Sequence, residues 1–360
     1  LGKTNIGTGS RNFILEKRLF CLNKFRILKL GKPDHMKTRI LAIIIISLLV
    51  ACANSGKKKV QADKPLITNP ILDGYFADPC IVKEGDTFFI YATIDPWGGE
   101  ELAVFSTKDF LTFDRHHLNW PTKEACTSTS SNSSMVWAPS VRKAPNGKYY
   151  MYVSVGSEIW AGVSESPLGP WTNAKEDNSP LVAAADFPKV HNIDADCFID
   201  DDGQAYLYWG SGFNWVNGIC MTARLNPDMI SFHEEPIEVT PLDYFEAPYM
   251  IKRFGKYYLM YSSGKAIDAT YKVGYAVSNS PLGPFQTGVN SPILETSADS
   301  TIYGPGHHSV FNEGGQDYIL YHRIFPQDSA YVLRQLCVDS LNFDANHNIL
   351  KVKPTGTVNF

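Results

Sequence analysis

The sequence predicts an all-β protein, a five-bladed β-propeller, on three observations. A hairpin-like unit recurs five times, a second motif repeats in phase with it, and no long amphipathic helical pattern interrupts the copies. Each copy is a short apolar strand, a turn holding glycine and a Tyr- or Phe-rich strand, which is how a β-hairpin reads.

The first copy runs from Asp78-Pro79-Cys80 through Gly85 to Phe88-Phe89-Ile90-Tyr91, and the second from Ala138-Pro139-Ser140 through Asn146-Gly147 to Tyr149-Tyr150-Met151-Tyr152. The third starts at Asp194-Ala195-Asp196 and turns at Asp202-Gly203; the fourth starts at Ala247-Pro248-Tyr249 and turns at Gly255; the fifth starts at His307-His308-Ser309 and turns at Gly314-Gly315. The starts are 60, 56, 53 and 60 residues apart. Ser164-Glu165-Ser166-Pro167-Leu168-Gly169-Pro170-Trp171 returns as Ser278-Asn279-Ser280-Pro281-Leu282-Gly283-Pro284-Phe285, 114 residues later, which is two periods. Such periods, with several short strands per unit, mark propeller blades.

The N-terminal region reads as an address rather than a fold. Met36-Lys37-Thr38-Arg39 precedes the uncharged run from Ile40 to Val50, too short for an ordinary membrane span and proportioned like a signal-peptide core. It ends in Leu49-Val50-Ala51-Cys52, which resembles a bacterial lipobox and implies lipidation at Cys52. The expected organisation is an upstream extension over 1–35, a lipoprotein signal peptide over 36–51, a polar tether over 52–67 and the propeller over 68–360. Localisation is then the bacterial envelope, reached through the lipid alone, with the periplasmic side favoured because no acidic run follows Cys52.

Composition narrows the partners. Apolar residues make up 44% and charged residues 19% of the 360, enough to bury a core and too few charges for disorder. Residues 1–51 carry ten Lys/Arg against two Asp/Glu, so the net charge of −4 hides a body near −12. An acidic body repels phosphate backbones, which excludes nucleic acid as the expected partner and favours a neutral one. The five cysteines after Cys52 are odd in number and show no CxxC spacing, against a disulfide framework or a zinc site.

First strands of propeller blades line the central channel, so equal repeat positions converge there. The column of starts is Asp78, Ala138, Asp194, Ala247 and His307, with Glu246 just before Ala247. Singly, Asp78-Pro79 reads as a turn starter, Glu246 as a strand cap and His307 as a structural histidine. Together, three carboxyls and an imidazole near one axis are costly for stability and point to a catalytic or metal site. Glycoside hydrolysis needs such groups: one carboxylic acid for the leaving oxygen and one carboxylate for water, about 6.5–9.5 Å apart when configuration inverts. A third carboxylate would keep the acid protonated. The consecutive acids Asp200-Asp201-Asp202 lack the alternation of a calcium loop and read as a hairpin turn.

The ordered set Ala77-Asp78-Pro79, Trp137-Ala138-Pro139-Ser140, Asn192-Ile193-Asp194, Phe245-Glu246-Ala247-Pro248 and Gly306-His307 resembles glycoside hydrolase family 43, over residues 70 to about 350. That resemblance implies Asp78 as general base, Glu246 as general acid and Asp194 as the residue that raises the acid's pKa. It implies Arg334 as a sugar contact and His307 at the pocket base, where some members hold calcium; no cofactor is required. Trp137 is expected as a pocket wall, with Trp97 and Trp215 as loop aromatics that extend it or merely pack. Two departures weigh on Asp194: Ala195 stands where the family usually has proline, and Asp196 follows closely. The implied activity is exo-acting release of terminal α-L-arabinofuranosyl or β-D-xylosyl residues from plant hemicellulose or pectic side chains. Endo-arabinanase or galactan and galactofuranoside hydrolysis stay open, as do a retaining fructan-cleaving relative and a non-catalytic glycan-binding propeller. Loops 95–101, 124–135 and 213–218 are expected to shape the site, with the Ser/Thr-rich stretch 127–134 overhanging the centre.

Overall fold

A computed structural model describes residues 66–326 and 332–359; Cys52 and the signal peptide, extension and most of the tether lie outside them. Five antiparallel meanders follow one another along the chain, four of four strands and the last of three. Their first strands are Phe76–Glu84, Val136–Lys143, Asp196–Ile199, Glu246–Arg253 and Gly306–Glu313. Each of these touches the first strands of the blades before and after it, and the last touches the first, which closes the ring. Among the described residues the only helical turn is a 3-10 turn at Phe213–Trp215. The chain is the five-bladed propeller that the repeat predicts.

Second strands explain the aromatic-rich runs. Tyr149–Val155 and Ala205–Trp209 are buried at every position, because a neighbouring blade covers each face. A strand buried on both faces reads as a continuous apolar run instead of alternating. Five apolar clusters form, one for each interface between blades. Phe88, Phe311 and Leu320 join blades 5 and 1, Tyr91, Val141 and Trp160 join 1 and 2, and Tyr152, Leu207 and Trp209 join 2 and 3. Tyr208, Leu259 and Tyr261 join 3 and 4, and Tyr258, Val310 and Tyr321 join 4 and 5.

The repeated Ser-Pro-Leu-Gly-Pro motif has a role at these interfaces. The Tyr91 hydroxyl donates to the Pro167 carbonyl and the Tyr208 hydroxyl to the Pro281 carbonyl, each at 2.6 Å. One blade's second strand thus holds a loop of the next blade, and the two-period spacing reflects that blades 2 and 4 share this lock.

The ring is closed by the ends of the described chain. Leu66–Thr68 pairs with Thr357–Asn359, so strand structure begins inside the stretch read as tether. Residues 69–71 then run along the outer edge of Arg334–Leu341, in the three-stranded blade. Asn69 Nδ2 donates to the Val338 carbonyl at 2.8 Å and the Thr355 carbonyl at 3.1 Å, while Asn69 Oδ1 accepts from the Val338 amide at 2.8 Å. One amide side chain substitutes here for a missing strand. Asn69→Ala removes all three bonds and strands a backbone amide, so it should destabilise the fold by about 2–4 kcal/mol, read as a lower urea midpoint at unchanged slope.

Candidate active site

The site is built by one backbone device used five times. Asp78, Ala138, Asp194, Ala247 and His307 all adopt left-handed conformations, with φ of 51°, 47°, 59°, 54° and 37°. Register shifts mark bulges at Ala77/Cys80, Trp137/Ser140, Glu246/Tyr249 and Gly306/His308. Each non-glycine residue so placed costs about 1–3 kcal/mol, which the surroundings must offset. Four of the five are anchored to the preceding blade through their own amide. Ala138 donates to Thr93 Oγ1, Asp194 to Ser154 Oγ and His307 to Ser262 Oγ, all at 2.9 Å, and Asp78 donates to His322 Nδ1 at 3.2 Å.

This ring floors a cavity of about 290 Å³ at one end of the channel, with Asp78, Asp194, Glu246, His307 and Arg334 in its lining. Trp137, His191, Phe245 and the tryptophans Trp97 and Trp215 form its walls. Trp97 and Trp215 come from different blades, and their ring centroids stand 6.4 Å apart. His191 stacks on Phe213 at 5.0 Å and lies 6.3 Å from Trp137, so one wall is a continuous aromatic strip.

Asp78 is 3% exposed and its carboxylate is fully engaged. Oδ2 accepts from Thr93 Oγ1 at 2.7 Å; Oδ1 accepts from Arg334 Nη1 at 3.0 Å and lies 3.2 Å from His307 Nδ1. Burial pushes this carboxyl up, yet the charges of Arg334 and His307, with the His307 hydrogen bond, hold it well below the ordinary carboxylate range. His322 is buried, and that burial lowers it to about 4, so its ring is neutral. Because Nδ1 accepts the Asp78 amide, the ring hydrogen sits on Nε2.

The other two carboxyls have the opposite character. Burial, and then the charges of Glu246 and Asp78 working against the cation on His307, raise Asp194 to about 8. Burial also raises Glu246, opposed by the Tyr271 hydroxyl, which donates to Oε1 at 2.7 Å, and by Ser211, which donates to Oε2 at 3.1 Å. His307 lies between acids, 3.6 Å from Asp194 Oδ2; burial lowers its affinity for a proton, but Asp194 and Asp78 outweigh this and lift it to about 9. Near neutral pH the floor therefore holds the Asp78 carboxylate, a protonated Asp194 and two cations, His307 and Arg334, with Glu246 shifted toward its acid form.

All six site residues expected from the sequence within the described region, Asp78, Trp137, Asp194, Glu246, His307 and Arg334, line this one cavity. The neighbour that threatened the Asp194 assignment is accounted for elsewhere. Asp196 accepts from Arg142 at 2.8 Å, Ser140 at 3.1 Å and the Met250 amide at 3.2 Å, deeper in the channel. Trp97 and Trp215 do line the cavity. The Ser/Thr-rich stretch does not: Ser128 Oγ donates to the buried Glu158 carboxylate at 2.8 and 2.9 Å, which pins the loop onto blade 2. Sequence reasoning missed His191, Ser211, Tyr271, Asp95 and His322. None of the five falls in the column of blade starts; Tyr271 packs so close to Gly306 that a Cβ there would lie 2.0 Å from its ring. The five described cysteines are buried and free.

Comparisons with known proteins agree with this geometry. The family model for glycosyl hydrolases family 43 matches residues 67–349. A β-D-galactofuranosidase of Aspergillus niger is 36% identical over 80% of this chain and 85% of its own, and a β-xylosidase of Xylanibacter ruminicola is 28% identical over 78% and 97%. Among solved structures, a glycoside hydrolase superposes with TM-score 0.67 at 29% identity, over 81% of this chain but only 65% of its own. A thermostable family-43 glycoside hydrolase does so with TM-score 0.66 at 28% identity, over 80% and 96%. A closed propeller with three acids, a histidine and an arginine on one cavity floor, matched over nearly all its length, belongs to glycoside hydrolase family 43.

Proposed function

We propose that this glycoside hydrolase acts from the chain end, with inversion, and removes single terminal furanosyl residues, α-L-arabinofuranosyl first among them. The observation that carries this is the size of the cavity. Small-molecule pockets run about 300–1,000 Å³, and this one stands at the low end, suited to one sugar rather than a bound chain. Below it the channel is filled by the Arg142–Asp196 pair, and Trp97 and Trp215 narrow its mouth.

In this reading the Asp78 carboxylate takes a proton from water as the water oxygen bonds to the anomeric carbon. The bond to the leaving oxygen breaks on the opposite face, and Glu246 delivers the proton that oxygen needs. Tyr271 donates to Glu246 Oε1 and Ser211 to Oε2, so the carboxyl is held in one orientation at the cavity. Asp194, buried and raised to about 8, adds no charge near neutral pH that would compete with the base. Trp137 offers a face for the apolar side of the sugar, and Arg334 offers N–H groups to its hydroxyls.

The sequence identity with the Aspergillus β-D-galactofuranosidase favours a second reading at the same site. β-D-galactofuranose and α-L-arabinofuranose share their ring configuration and differ in the exocyclic carbon, so one floor can serve both. Xylosides, the named substrate of the Xylanibacter relative, are pyranosides and fit this reading less closely.

Calcium at the channel does not suit these residues. The space beneath His307 is about 20 Å³, and the unpartnered polar atoms nearest it are both His308 ring nitrogens and Ser309 Oγ. Calcium takes about 6–8 oxygen ligands. Of the two carboxyls that line this space, Asp196 is already paired with Arg142, whose cation repels a second one, and Asp194 holds its proton up to about 8. A single water fits better, and no step runs through a metal. Lipid attachment at Cys52 and periplasmic display complete the proposal.

Asp78→Ala should abolish turnover on every glycoside. Glu246→Ala should slow alkyl arabinofuranosides at least about 100-fold but an aryl arabinofuranoside with a good leaving group far less, as steady-state rates on matched substrates will read. Proton NMR of the first-formed sugar should show the inverted anomer; a retained one ends the inverting reading. Stability should follow the two raised groups. Asp194 binds its proton in the folded state up to about 8 and His307 up to about 9, above their ordinary values. Their contributions are full at low pH, and those of Asp194 and His307 are lost as pH climbs to about 8 and about 9 respectively. Melting temperature should fall from pH 6 to pH 9 in steps of roughly one unit, and Asp194→Asn should make that fall shallower.

A further inference from the structure

Outside the ring of five, one acid is buried against the proposed base's own partner. Asp95 follows the second strand of blade 1, Thr87–Ile94, and its side chain is 0% exposed. It does not line the cavity. Its carboxylate is spent entirely on Arg334, the first residue of the last strand of blade 5. Nη2 donates to Oδ1 at 2.6 Å, Nε to Oδ2 at 3.0 Å and to Oδ1 at 3.2 Å, and the Arg334 backbone amide to Oδ2 at 2.7 Å. Two residues on, Trp97 covers the guanidinium face, its ring centroid 5.1 Å from Cζ. In-plane edge, face and backbone of one arginine are thus all held by the segment 95–97.

What remains free is the Nη1 end, and it reaches Asp78 Oδ1 at 3.0 Å. A guanidinium has five N–H donors in a rigid fork. With Asp95 holding one edge, the fork can turn neither away from Asp78 nor into the space a sugar and water need. Charge leads to the same place. Asp78 faces two cations, Arg334 and His307; Asp95 is the second anion that shares the arginine's charge.

We propose that Asp95 is a positioning residue for hydrolysis: it locks Arg334 in the orientation that presents one N–H to Asp78, and by sharing the guanidinium's charge it keeps Asp78 an effective base. The inference rests on the reading of Asp78 as that base. It assigns a task to a buried aspartate that touches neither sugar nor water.

The test is steady-state kinetics of Asp95→Asn, Arg334→Lys and the double variant on para-nitrophenyl α-L-arabinofuranoside, with Asp78→Ala alongside. Asn keeps the shape of Asp95 and removes its charge; Lys keeps the charge of Arg334 and removes its fork. Asp95→Asn should lower kcat at least about 10-fold with KM within about 3-fold, and adding it to Arg334→Lys should cost less than about 3-fold more. A purely structural Asp95 would lower the melting temperature and leave the kcat of the folded fraction alone. Wild-type kcat in folded Asp95→Asn, or losses that multiply in the double variant, overturns the inference. If Asp95→Asn does not fold, Asp95→Glu, which keeps the charge and displaces the carboxylate by one methylene, decides: a kcat loss at steady KM supports the clamp, and wild-type kcat removes it. Activity surviving in Asp78→Ala would instead sink the base reading itself. An inactive Asp78→Ala beside a fully active Asp95→Asn sinks only the role of Asp95.

Discussion

Everything at the floor of the cavity depends on a left-handed residue at the start of each inner strand. A regular strand would send Asp78, Asp194 and His307 alternately to one sheet face or the other, into the packed interfaces between blades. The bulge breaks that alternation and turns the side chain to the axis, where no blade covers it. Its conformational cost is met by the neighbouring blade, whose hydroxyl or imidazole accepts the amide that the bulge frees from the ladder. Catalytic geometry and ring closure are therefore one structure. Blades that separate lose the anchors of the acids, and for Asp78 that anchor, His322, lies across the junction between the last blade and the first.

That junction bears unusual weight. It holds the Asn69 bridge on the outside and the Asp95–Arg334–Asp78 chain on the inside. His322 adds a third link: it touches Asp78, and its ring stacks on Tyr271, whose hydroxyl reaches Glu246. The proposed base and proposed acid, from blades 1 and 4, are thus joined through blade 5 by one histidine–tyrosine stack.

The fold was legible because the repeat made five weak hairpin signals into one strong one, and the column of starts carried the acids with it. Asp78, Asp194, Glu246 and His307 needed only the rule that equal repeat positions converge. Arg334 and Trp137 needed the family resemblance, since neither departs from its local pattern in a way that composition or periodicity registers. Asp95, Tyr271 and His322 were invisible for a physical reason. Asp95 and His322 act across the junction of the first and last blades, on partners 239 and 244 residues away, and Tyr271 reaches an acid 25 residues back in its own blade; nothing in a single sequence encodes which distant residue each meets. The Ser/Thr stretch misled for a related reason: its polarity suggested an open loop over the pocket, whereas one buried acceptor, Glu158, fixes it elsewhere.

The charges on the floor also explain why so many ionisable groups can share one buried space. Asp78 and Asp95 are paired with Arg334, His307 stands beside Asp78, Asp194 holds its proton near neutral pH and Glu246 is shifted toward its acid form, so opposite charges largely offset one another. Desolvating a net charge would be far more costly than desolvating this balanced group. Balance also sets the division of labour. An acid can keep its proton beside an ionised carboxylate only if the field of that carboxylate is not cancelled entirely, and a base can stay ionised only if some cation is near. Arg334, held off from Glu246 by its bond to Asp95 and aimed at Asp78, satisfies both conditions with one guanidinium. The orientation of that group, more than the number of acids present, is what sets the proposed base apart from the proposed acid.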